Sequence, residues 1–173
     1  MTPRIQLQFG DITAMEVDAL VNSTGTTLLE GGPVHKAVHE AAGPALAQAC
    51  QNLEPCEPGE VRITPGYQLR AQTVIHTVAP TWMDGAHGEP EALGACYTEA
   101  LKLARKQGFR TLAFPSLGSG RQPQIPLEVA APIAIHSIQA FLEESPMPEK
   151  VFLVCFDTTT YQAYQKVLRE ALP

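Results

Sequence analysis

No basic run or stripe occurs in the chain: 12 Lys plus Arg stand against 18 Asp plus Glu, a net charge of −6 with the histidines neutral. Nucleic acid is therefore not expected as the main partner, because no set of cations sweeps its phosphates, although a small anion held by backbone amides stays open. Cys50, Cys56, Cys96 and Cys155 form no Cys-x-x-Cys pair and no His pair follows them closely, so zinc is not expected. Free buried thiols in a reducing compartment fit better than a disulfide framework. No apolar run approaches the roughly 20 residues that span a bilayer. The first residues alternate and show no basic patch followed by an apolar stretch, so a secretory leader is not expected and a cytoplasmic location is. Neither Gly-Lys-Ser/Thr nor Gly-x-Gly-x-x-Gly is present, which removes the P-loop and the ordinary Rossmann dehydrogenase. The histidines are scattered and Glu143-Glu144 reads as a solvated helix end, so no metal or cofactor is expected.

What is there is a chain of 173 residues with 45% hydrophobic content and no repeat, expected to be one domain with a sizeable core. Residues 4–9 alternate polar and apolar, as a strand with one wet face does. Residues 17–21, 72–78, 111–114 and 151–156 are richer in apolar and β-branched types and read as more buried strands. Helical spacing of apolar positions marks 34–42, 44–53, 91–106 and 158–172, with Pro44 suited to a first turn, Gly108 as a stop and Asp157 as an N-cap. A further helix follows Ile125; Pro132 either lies in its first turn, if it starts near Val129, or kinks it. Strands alternating with such helices predict a layered α/β domain with a largely parallel sheet, whose ligands sit beyond the carboxyl ends of the strands.

The informative loops follow those strand ends. Gly31-Gly32-Pro33-Val34 opens a helix, so its amides and the positive helix end can converge on an anion, unless the turn merely starts the helix. Pro115-Ser116-Leu117-Gly118-Ser119-Gly120-Arg121 follows a buried strand and supplies close backbone approach, hydroxyls and a guanidinium fork. Asp11 is a local cap or a carboxylate for an adenine amino group, and Asn22 a turn former or a partner for ribose hydroxyls.

In order and spacing, Gly10-Asp11-Ile12-Thr13, Val17-Asp18-Ala19-Leu20-Val21-Asn22, Gly31-Gly32 with Val34, His39-x-Ala41-Ala42-Gly43, Val74-Ile75-His76-Thr77-Val78 and Ala113-Phe114-Pro115-Ser116-Leu117-Gly118-Ser119-Gly120 resemble the macro domain family over essentially the whole chain. The resemblance implies a three-layer αβα sandwich with a mixed, mostly parallel sheet of about six strands, and a surface cleft for ADP-ribose. By the same resemblance Asp11, Ile12 and Phe156 would bind the adenine, Asn22 a ribose, and Gly31, Gly32, Val34, Ser116, Gly118, Ser119, Gly120 and Arg121 the diphosphate. The expected partner is ADP-ribose or an ADP-ribosylated macromolecule, bound by a monomer.

The chain departs from the hydrolytic members it resembles on one side of that ligand. They usually read Asn-Ala-Ala-Asn where this chain reads Asn22-Ser23-Thr24-Gly25, so the amide that orients the distal ribose is missing. Their Gly-Gly-Gly-Val-Asp becomes Gly31-Gly32-Pro33-Val34-His35; Pro33 removes an amide N–H, and His35 replaces a carboxylate thought to position water. His35 is expected to be a solvent-facing first-turn residue, with a general base as the alternative. Contacts that strengthen in the transition state set turnover, whereas adenine and phosphate contacts set affinity. The expectation is therefore a reader of ADP-ribose with weak or no hydrolysis; the alternative is a hydrolase of ADP-ribosyl protein or nucleic acid, or an O-acetyl-ADP-ribose deacetylase.

Overall fold

The computed structural model describes residues 3–119 and 124–171. Six strands, β1 (Ile5–Phe9), β2 (Ala19–Ser23), β3 (Val61–Pro65), β4 (Thr73–Thr77), β5 (Thr111–Pro115) and β6 (Lys150–Cys155), form one sheet in the order β1-β6-β5-β2-β4-β3. All neighbours run parallel except β3, which pairs antiparallel with β4 at the edge. The helices are α1 (Pro33–Ala42), α2 (Pro44–Gln51), α3 (Glu89–Gln107), α4 (Leu127–Glu144) and α5 (Thr158–Ala171). Two buried apolar clusters lie on the two faces of the sheet. One joins Val21, Ile75 and Phe114 to α3, α4 and α5, and the other joins Leu20, Val74 and Ala113 to α1 and α2. Alternate residues of each central strand thus serve opposite layers, which is why consecutive positions such as Leu20-Val21, Val74-Ile75 and Ala113-Phe114 are all apolar.

The expected sandwich and mixed sheet are what the structure shows, with boundaries within two residues or so. β3 has no counterpart among the expected strands. It is a short edge strand, Val61–Pro65, and its Val61/Ile63 alternation is too brief to stand out from the loops around it. α4 starts at Leu127, so Pro132 is its sixth residue; only the bond to the Glu128 carbonyl is lost to the missing N–H, early enough that the helix continues. Asp157 caps α5 as expected, its carboxylate accepting from the Thr160 N–H at 2.8 Å and the Thr160 hydroxyl at 2.9 Å. The carboxyl ends of β2, β5 and β6 deliver the loops at 24–32, 116–119 and 156–157 to one rim of the sheet.

Candidate functional site

A cavity of about 420 Å³ opens at that rim, lined by Gly10, Asp11, Ile12, Pro33, Val34, Ala37, Pro115, Val154 and Phe156. The Gly10 N–H donates to the Cys155 carbonyl at 2.9 Å, tying the 10–12 turn to β6. One oxygen of Asp11, Oδ1, accepts from the Thr13 N–H (2.9 Å) and hydroxyl (2.8 Å), which fixes the side chain and leaves Oδ2 without a partner among the described residues. Ile12 is buried beneath, and Phe156, 56% exposed, stands as a free aromatic face. A flat apolar slot with one aromatic wall and one unpartnered carboxylate oxygen suits a planar base with an exocyclic amine.

A narrow slot continues from this cavity, sharing Pro33, Val34 and Phe156 with it and adding Ser23, Thr24, Gly31, Gly32, Ser116 and Ser119. On one wall α1 begins; the Lys36 N–H is the first to reach back, to the Gly32 carbonyl at 3.1 Å. The Val34 and His35 N–H groups therefore precede the first helical bond, and they have no acceptor among the described residues. Together with the helix's positive end they form an anion seat. The opposite wall is held from behind. The Leu117 N–H donates to the Tyr97 hydroxyl at 3.2 Å, the Ser116 and Tyr164 hydroxyls lie 3.0 Å apart, and the Ser119 hydroxyl donates to the Ser116 carbonyl at 2.8 Å. Gly118 turns this loop at φ +88, where a Cβ would meet Ile125 Cδ1 at 2.7 Å. Tyr97 and Tyr164 are wholly buried, and burial raises both phenols, Tyr164 to about 12, so they remain hydrogen-bonding hydroxyls at any working pH.

Asp11, Ile12, Phe156, Gly31, Gly32, Val34, Ser116 and Ser119 thus meet in one groove, with Gly118 in the turn behind it. Gly120 and Arg121 lie outside the described residues. Asn22 and His35 are both enclosed. Asn22 is completely buried, its Nδ2 3.2 Å from His76 Nδ1 across the β2–β4 pair, while its Oδ1 has no partner among the described residues. Near the end of β2, Asn22 lies opposite His76, and the following Ser23 and Thr24 line the slot. The amide can only donate to Nδ1, which places the His76 proton on Nε2 facing the Thr64 hydroxyl at 2.9 Å. Burial holds His76 down to about 3.

The expectation of a solvent-facing His35 is corrected: the residue is 5% exposed. The loop at Gly31 folds directly onto it, so close that a Cβ at residue 31 would come within 2.6 Å of His35 Cβ. The Thr24 hydroxyl lies 2.9 Å from His35 Nδ1 and donates to the Glu30 carbonyl at 3.0 Å, so Nδ1 carries the imidazole proton. Burial, reinforced by the neighbouring His39 ring 4.1 Å away, lowers His35 to about 4. It is neutral near pH 7 and too weak a base to take a proton from water efficiently.

The sequence reading also missed Ser23, Thr24, Tyr97 and Tyr164. Their signal was only a turn, or an apolar helix face on which the two hydroxyl groups go unnoticed. Among the described residues, one set with metal-compatible spacing occurs, Asp84, His87 and Glu89, within 4.8 Å of one another. Glu89 is committed elsewhere: Oε2 accepts from the N–H groups of Met83, Asp84 and Gly85 at 2.9, 3.1 and 3.0 Å, and Oε1 from His87 at 2.6 Å. Burial opposes its charge, but these amides hold the carboxyl down to about 2. The set closes the turn that begins α3 and has no part in the groove.

The sequence profile described as "Macro domain" matches residues 21–134. A macro domain-containing protein of Methanosarcina mazei is 44% identical over 169 residues, covering 98% of this chain and 90% of its own length. A protein of an Enterobacter species named O-acetyl-ADP-ribose deacetylase is 41% identical, with coverages of 97% and 95%. Among solved structures, the Oceanobacillus iheyensis macrodomain with ADP superposes with a TM-score of 0.91 at 36% identity, over 96% of this chain and 90% of that one. The Trypanosoma brucei macrodomain in complex with ADP-ribose gives 0.88 at 36% identity, over 95% and 69%.

Proposed function

Because the chain belongs to the macro domain family, we propose that it binds ADP-ribose, free or attached to a macromolecule, in the groove between the α1 start and the 116–119 loop. The observation that carries this reading is the continuity of the base-sized cavity with a slot whose wall holds the unpartnered Val34 and His35 N–H groups. Adenine would lie against Phe156 with its amine toward Asp11 Oδ2, and the diphosphate would take the α1 amides on one side and the Ser116–Ser119 loop on the other. By the resemblance, Gly120 and Arg121 would also bind the diphosphate. Amides and a helix end supply the positive potential, which suits a chain of net charge −6.

A reader function is favoured over hydrolysis by His35, buried, neutral and bonded to Thr24, and by the absence of a side chain at Gly25. The second reading, hydrolysis of an ADP-ribose ester or conjugate, draws support from the relative named a deacetylase. It needs water positioned by the ligand's own diphosphate. We take the chain to act as one domain and a monomer, in a reducing compartment such as the cytoplasm, where the four free, buried cysteines would stay reduced. Among the described residues no helix is long and apolar enough to cross a membrane.

Calorimetric titration of ADP-ribose into wild type and Asp11→Ala tests the binding reading. Micromolar affinity is expected, falling about tenfold or more in the variant, the size of one hydrogen bond to a charged acceptor. No heat up to millimolar ligand overturns it. Incubation of the same protein with O-acetyl-ADP-ribose and a mono-ADP-ribosylated protein separates the two readings: intact substrate after long incubation is the expected result, and turnover establishes the second.

A further inference from the structure

The groove does not end at the diphosphate slot. A third hollow, open and about 800 Å³, meets the slot at Gly31 and is lined there by Glu30, His35, Lys36 and His39. A ligand with its base in the first cavity and its diphosphate in the slot delivers its next group to Gly31, and therefore to Glu30. The Glu30 side chain is also where a side chain of residue 25 would be. A Cβ built on Gly25 would lie 2.9 Å from Glu30 Cγ and 3.1 Å from Oε1. The base of that side chain is fixed, since the Glu30 carbonyl accepts from the Gly25 N–H at 2.8 Å and the Thr24 hydroxyl at 3.0 Å. Among the described residues its carboxylate has neither an ion-pair nor a hydrogen-bond partner.

An acceptor-only group beside an anionic diphosphate adds nothing to affinity for the phosphates themselves, because like charges repel. What it can take is hydroxyl hydrogen, and a carboxylate with two oxygens matches two adjacent hydroxyls. We propose that Glu30 is the specificity-determining residue for the group beyond the diphosphate, a pentose with vicinal free hydroxyls, filling from position 30 the space that position 25 leaves open. This rests on the binding reading above, and it makes the site selective for ADP-ribose over ADP.

The test titrates ADP and ADP-ribose into wild type, Glu30→Ala and Glu30→Gln by calorimetry. Wild type is expected to prefer ADP-ribose by about tenfold. Glu30→Ala brings the two within about twofold, with ADP-ribose binding weakened and ADP binding unchanged or tighter as repulsion is removed; Glu30→Gln falls between. The ADP arm doubles as a check that the variants fold. If ADP and ADP-ribose bind but wild type does not discriminate, or Glu30→Ala discriminates as well as wild type, the inference is overturned while the binding reading stands. If wild type binds neither ligand, both are overturned. Gly25→Asn adds a structural readout: it should lower the thermal midpoint more in wild type than in the Glu30→Ala background, and equal losses contradict the shared space.

Discussion

Single residues in this chain are constrained by what approaches them rather than by their own propensities. Gly118 holds a φ of +88 and has Ile125 Cδ1 2.7 Å from where a Cβ would be. Gly118→Ala is expected to cost about 1–3 kcal/mol from strain and overpacking together, visible as a lower urea midpoint. Gly31→Ala should also destabilise, since the His35 Cβ 2.6 Å away is anchored in α1 and cannot swing clear; the same measurement at neutral pH reads it. Glycine at 31 was legible in the sequence as a phosphate-loop residue. That it is also the lid over a buried histidine was not, because nothing local to His35-Lys36-Ala37-Val38-His39 distinguishes a wet first turn from one covered by a returning loop. Likewise Asn22 carries turn chemistry in isolation, and only the β2–β4 register places it opposite His76.

At the scale of elements, the groove depends on helices that do not line it. Tyr164 on α5 and Tyr97 on α3 hold the 116–117 turn through their hydroxyls. Tyr164→Phe keeps the ring but leaves Ser116 Oγ without that partner, for an expected loss of about 1–2 kcal/mol in stability. Weaker ADP-ribose binding should accompany it, read by calorimetry against the unfolding midpoint. The helix faces carrying Tyr97 and Tyr164 follow from apolar periodicity, so the sequence identified both as inward. It could not show that the inward end of each ring stops at a binding loop 20 residues away in one case and 48 in the other. β3 is the opposite failure: its alternation is present, but an edge strand of five residues that pairs antiparallel adds too little periodic signal to be separated from a loop.

For the molecule as a whole, two neutral buried histidines tie stability to pH. His35 and His76 are lowered to about 4 and about 3 from an ordinary 6.5. Between 6.5 and those values the unfolded chain binds protons that the folded chain refuses, so stability is full above pH 6.5 and declines as pH falls toward 4. Each histidine contributes a slope of up to about 1.4 kcal/mol per pH unit. Urea midpoints from pH 7.5 to 4.5 check this, and a flat profile contradicts the burial of both rings. By itself the sequence determined the layered α/β class, the order of most elements, the family, and the two glycine-bearing loops, because periodicity, turn residues and motif spacing are local and survive without coordinates. Tertiary structure alone decided which side chains those loops expose. Strand register set Asn22 opposite His76, the return of the loop covered His35, and the fold of residues 25–30 laid Glu30 over Gly25. Each of these is a contact between distant segments or across a turn, and facing direction there is set by packing, which local pattern does not encode.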